Sequence, residues 1–90
     1  MDVILLTPTI DACIETQAKH RYNAAASSLL QNPDDQPLRE ELETLRLFLE
    51  REDFRRLRAQ SEPHLTAGKK VTFRVWQEED RVRWHMDVTG

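Results

Sequence analysis

Leu38, Leu42, Leu45 and Leu49 step along the chain by four, three and four residues. At about 100° per residue they fall within a helical sector of roughly 60°. Arg39, Glu40, Glu41, Glu43, Thr44 and Arg46 lie between them and supply a charged face for water. This spacing predicts one long helix from Leu38 to Ser61, with the rest of the chain packed around it. Asp34 or Asp35 can cap its first free N–H groups, and Pro37 is tolerated in the first turn. Acidic residues crowd the early turns and Arg55, Arg56 and Arg58 the last ones, which suits the helix dipole. Pro63 biases Glu62 away from helical geometry and is expected to stop the run.

A second apolar stripe does not fit that sector. Leu47, Phe54 and Leu57 lie about 180°, 160° and 100° round from Leu38. A helix of this length spans roughly 36 Å, and a short chain has little with which to cover both of its sides. Either the helix bends near Glu52-Asp53, or the second stripe meets another subunit. The expectation adopted here is the second: a homodimer with Leu47, Phe54 and Leu57 at its interface.

Ninety residues set the domain at a single unit, 1–90, near the lower limit for an independent core. About a third of the residues are charged and the net charge is −3, which argues against general affinity for nucleic acid or membranes. A single cysteine, Cys13, excludes an internal disulfide framework. The Val3–Leu6 run is too short for a signal core or a membrane span, so a cytoplasmic protein is expected.

Val3–Leu6 reads as a strand. Thr7, as a cap, and Pro8, in a first turn, predict a first helix over 8–31. Its apolar stripe is Ile10, Ile14, Ala18, Tyr22, Ala25 and Leu29. The 32–35 turn would fold it back against the Leu38/Leu42/Leu45/Leu49 face as an αα-hairpin. Beyond a 62–68 loop, Val71, Phe73 and Val75 alternate with polar residues, as do Val82, Trp84, Met86 and Val88. This is a β-hairpin joined by Gln77–Asp80. A four-residue loop sets Val75 opposite Val82, Phe73 opposite Trp84 and Val71 opposite Met86. The expected fold class is α+β, in the order β-α-α-β-β. An antiparallel two-helix hairpin packs on a C-terminal β-hairpin, which the N-terminal strand can extend to three strands.

The same register makes the other hairpin face the most informative surface. It sets Lys70 opposite Asp87, Thr72 opposite His85, Arg74 opposite Arg83 and Trp76 opposite Arg81. Like charges directly opposite destabilise a sheet, so Arg74/Arg83 is a local conflict. Arg74, Trp76, Arg81, Arg83 and His85 together form a candidate anion or partner surface, since aromatics stack bases and arginines bind phosphate. The stronger reading is structural: arginine stems cover the sheet while carboxylates of the acid-rich second helix neutralise their heads.

No motif carries chemistry. His20, His64 and His85 lack ligand spacing, so no metal is expected. Cys13 is expected to be a small buried hydrophobe. Gly68 and Gly90 are the only glycines, which excludes a phosphate-cradling loop. No cofactor is expected. The sequence therefore points to a small non-enzymatic protein-interaction or regulatory domain. Its expected partner is a second copy or another protein, with no membrane. The alternative is a nucleic-acid-binding module using the basic and aromatic hairpin face. An enzyme with a pocket between helices and sheet has no residue-level support.

Overall fold

The computed structural model describes residues 3–90. A short strand, β1 (Ile4–Leu6), leads into three helices: α1 (Ile14–Gln31), α2 (Gln36–Arg51) and α3 (Phe54–Thr66). Two long strands close the chain, β2 (Lys70–Glu78) and β3 (Arg81–Thr89). The strands form one antiparallel sheet in the order β1-β2-β3. The fold is α+β, as its alternating strands and amphipathic helices require, with one helix more than the sequence suggests. The N-terminal strand does join the sheet: Ile4 faces Val75 and Leu6 faces Phe73.

The predicted 38–61 helix is two helices. α2 begins on the Asp35 carboxylate, which accepts from the Leu38 N–H at 3.2 Å. It ends at Arg51, and Glu52 turns extended. Asp53 then caps α3, accepting from the Arg55 N–H at 3.1 Å. The break re-aims the second apolar stripe. Phe54 meets Phe48 edge-on, with centroids 5.3 Å apart. Leu57 is 1 % exposed and Leu47 5 % exposed within the single chain. Leu47, Phe54 and Leu57 therefore belong to the intrachain core or its margin, and the interface expected along them has no free stripe to use. Two stripes on opposite sides of a straight helix become one core once the helix is bent.

Pro63 does not stop α3. It lies inside the last turns, where its ring forfeits the bond to one carbonyl, four residues back. The stop comes at Gly68, whose φ is +80°. The Gly68 N–H reaches the Leu65 carbonyl at 3.0 Å and the Lys69 N–H reaches His64 at 2.9 Å. This is the paired-bond glycine cap that L-residues other than glycine adopt poorly. At the other end, α1 begins at Ile14 and not at Pro8. Thr9 and Ala12 close a turn instead, and Ile10 is 73 % exposed, off the core stripe.

The hairpin turn is Glu79-Asp80, with Gln77 and Glu78 still in the ladder. The register is thus two residues away from the expected one: Val75 faces Trp84, Phe73 faces Met86 and Val71 faces Val88. A shift of two preserves the faces, because side chains alternate with period two. Glu79 takes a φ of +58°, which lets so short a turn close without glycine. Arg51 of α2 holds the turn by donating to the Asp80 carbonyl at 3.1 Å.

The helices cover one face of the sheet. Ile4, Leu6, Ile14, Ala18, Leu45, Phe48, Leu57, Val71, Phe73 and Val75 form the buried cluster. Each large side chain there contributes roughly 1.5–3 kcal/mol through burial. Phe73 is fully buried, and Trp84 packs on it at 5.5 Å between ring centroids. Trp84 and Met86, however, are only half-buried, because β3 is the edge strand.

Candidate functional site

The outer sheet face carries the residues singled out from sequence, and β2 and β3 bring them together. In the observed register Arg74 faces His85, Trp76 faces Arg83, Glu78 faces Arg81 and Thr72 faces Asp87. Arg74 and Arg83 are not opposed, so the expected like-charge conflict does not exist. Its source was the assumed four-residue loop.

Carboxylates of the hairpin itself, and not of α2, pair with these cations. The Arg74 Nε lies 2.8 Å from the Asp87 Oδ2, and the His85 Nε2 lies 3.2 Å from the Asp87 Oδ1. The Arg83 Nε lies 3.4 Å from the Glu78 Oε2, and the same oxygen accepts from the Trp76 indole at 3.3 Å. Arg81, beside the turn, forms no ion pair among the described residues. Each pair is solvent-exposed, so its net contribution to stability is small. Its effect is to balance charge on the sheet surface. Leu5 stands opposite Arg74 on β1 and is 54 % exposed, adding an apolar margin to this face.

The edges differ. β1 is three residues long, while β3 pairs along all nine of its residues with β2 and offers its other side to solvent. β3 contains no proline, and its register with β2 runs without a bulge from Arg81 to Thr89. Edge strands are ordinarily blunted by proline, bulges, short length or charges, because a free ladder of N–H and C=O groups templates another strand. β3 has none of the first three and carries its charges of both signs, Arg81, Arg83, His85 and Asp87, on the outer face alone. The inward row of β3, Val82, Trp84, Met86 and Val88, is only half-covered, while its neighbours on β2 are fully buried. The Trp84 indole finds its acceptor in Glu52, at 3.1 Å, where α2 breaks.

Three other places were candidates for chemistry. Cys13 is the N-terminal flanking residue of α1, partly exposed and not a buried hydrophobe. Its thiol Sγ lies 3.4 Å from the Thr16 hydroxyl, and hydrogen bonding from Thr16 lowers its pKa. A groove lined by Asp35, Glu40, Glu41 and Glu79 separates the start of α2 from the hairpin turn. Tyr22, Ala26, Leu29, Leu30 and Leu42 line an apolar groove between α1 and α2, with Leu30 at 85 % exposure. No set of histidine, cysteine and carboxylate side chains suited to a metal occurs among the described residues. Nor is any helix among them long and apolar enough to cross a membrane.

A protein-family model matches residues 1–83, which span the chain from its start into β3. The chain belongs to that family. No curated protein and no solved structure matches the chain. The matched span takes in β1, all three helices, β2 and the hairpin turn.

The sequence had located the outer-face residues but not the edge. Periodicity assigns side chains to faces, whereas an edge depends on which strands pair. The hint was the length of the last alternating run, which exceeds what the Val3–Leu6 run could ever pair with.

Proposed function

We propose that this protein is a non-enzymatic protein-interaction domain of the cytoplasm, and that β3 is its binding element. The observation that carries this reading is the unblocked nine-residue edge of β3, backed by a half-covered apolar row. Adding a strand there satisfies the free backbone groups and finishes covering Val82, Trp84, Met86 and Val88. Main-chain hydrogen bonds supply affinity in this mode and alternate side chains supply selectivity. The free, partly exposed thiol of Cys13 is in keeping with a reducing compartment.

A nucleic-acid surface would need Arg74, Arg83 and His85 free for phosphate. Asp87 and Glu78 lie among them, so an approaching phosphate meets carboxylates as well as cations, which favours the protein-interaction reading.

The test is affinity capture from cells with the wild type and with a variant whose edge is charged, Val82→Lys and Val88→Lys together. Circular dichroism and urea melts establish that the variant stays folded. A partner held by the wild type and lost by the folded variant supports the reading. The same partner held equally by both contradicts it.

A further inference from the structure

We infer that the strand received by β3 is β3 of a second copy, paired antiparallel about a two-fold axis through His85. This rests on the interaction-domain reading above and names its partner and register.

The inference follows from the order of residues along the strand. In an antiparallel self-pair that uses the whole of Arg81–Thr89, His85 is the midpoint and faces itself. Arg83 then faces Asp87 of the second copy, and Asp87 faces its Arg83. Val82 faces Val88, Trp84 faces Met86, and Arg81 faces Thr89. The fullest overlap thus sets opposite charges across the seam twice on the outer face and sets no arginine against another cation there. On the inner face it sets apolar residues against apolar ones throughout. Opposite charges and large apolar pairs are the favourable cross-strand neighbours. Sliding the register by two in one direction sets Arg81 against Asp87 but also Arg83 against His85. Sliding it in the other sets His85 against Asp87 but leaves Arg83 against Thr89. Each slide also shortens the overlap from nine residues to seven.

The structure supplies the other conditions. The edge is long and unblocked, and the apolar row behind it is incompletely covered on this side alone. Asp87 already pairs with Arg74 and His85, and Arg83 with Glu78, so the seam pairs extend existing charge networks. Two copies of a three-stranded sheet become one six-stranded sheet, with the helices of both on the same face. Such an interface is isologous and closes on itself, so it gives dimers and not filaments.

The experiment uses engineered cysteines in a Cys13→Ser background, so that no native thiol interferes. Across the axis, His85→Cys meets its own copy at a Cα separation of about 4.5–5.5 Å, within disulfide range. Arg83→Cys is the control: its own copy lies four residues along, about 13 Å away. His85→Cys is expected to form a linked dimer under mild oxidation, several-fold above Arg83→Cys. A second arm uses charge. Arg83→Glu and Asp87→Arg each set like charges across the seam and are expected to sediment as monomers. Mixed, they restore both opposite-charge pairs and are expected to form a heterodimer. Circular dichroism confirms that each variant is folded; if a charge variant is not, the cysteine arm decides alone. A wild type that stays monomeric at high micromolar concentration overturns the self-pairing. So does equal linking by the two cysteine variants. A monomer that still captures another protein through β3 leaves the interaction-domain reading standing. One that captures nothing through β3 overturns both.

Discussion

The Trp84 indole N–H donates to the Glu52 carboxylate across 3.1 Å, tying the edge strand to the break between α2 and α3. Glu52 lies between the two helices, where its extended backbone leaves the side chain free to reach β3. A half-buried indole needs such an acceptor. Glu52→Ala is expected to destabilise the domain by about 1–2 kcal/mol, because it removes a hydrogen bond to a charged group and leaves the indole unpaired. Glu52→Gln, which keeps an acceptor, is expected to retain most of the stability. Urea melts followed by tryptophan fluorescence check both. Equal losses in the two variants would assign the effect to charge instead.

Leu57 distinguishes a core stripe from an interface stripe. It is buried within one chain beside Phe48 and Ile14. Leu57→Ala is therefore expected to cost about 2–5 kcal/mol at every protein concentration. A residue at a dimer interface would instead show a loss that grows with concentration. Chemical denaturation at two widely different concentrations makes the distinction. Loss confined to the concentrated sample would restore the interface expected along Leu47, Phe54 and Leu57, the stripe that departs from the main leucine spacing.

That spacing shows what was legible. The Leu38, Leu42, Leu45 and Leu49 period located a helix correctly, and the alternation at Val71–Val75 and Val82–Val88 located both faces of the sheet. The break was legible as one of two alternatives, since the out-of-phase Leu47, Phe54 and Leu57 allowed either a bend near Glu52-Asp53 or a second subunit, and period alone does not choose between them. Its signal was Asp53, a capping residue placed just before the out-of-phase Phe54 and Leu57. The candidate surface suffered from the turn. Its residues were found, but the opposed pairs were each two positions off, and the supposed Arg74/Arg83 conflict followed from that offset alone.

The turn misled because Glu79-Asp80 lacks the glycine or asparagine that marks a two-residue hairpin loop. Glu79 holds a φ of +58° at some cost. Left-handed geometry costs an ordinary L-residue roughly 1–2 kcal/mol, and asparagine tolerates it better. Glu79→Asn is expected to stabilise the domain by about 0.5–1 kcal/mol. Thermal melts read this directly, and a lower midpoint would mean that the Glu79 side chain contributes more than its backbone costs.

Cys13 gives a pH-dependent prediction. Hydrogen bonding from the Thr16 side chain is the largest cause lowering its thiol pKa, followed by the Thr16 backbone. These bonds favour the thiolate, the reactive form. Thr16→Val removes the first of them, so the pKa should rise and the thiolate fraction at neutral pH should fall. The midpoint of the alkylation rate against pH is expected to move upward, with slower labelling at neutral pH. An unchanged or lower midpoint would remove Thr16 as the cause.

Hydrogen exchange across a dilution series tests the role of β3 most directly. Each amide of Arg81–Thr89 that points away from β2 is open to solvent in a single copy and bonded in the paired one. The account expects these amides, those of Val82, Trp84, Met86 and Val88, to gain protection as the protein is concentrated, with Trp84 and Met86 on either side of the axis at the centre of the effect. Amides of the α1–α2 groove are expected to exchange at one rate throughout. Exchange along β3 that is independent of concentration, up to the high micromolar range, would contradict it.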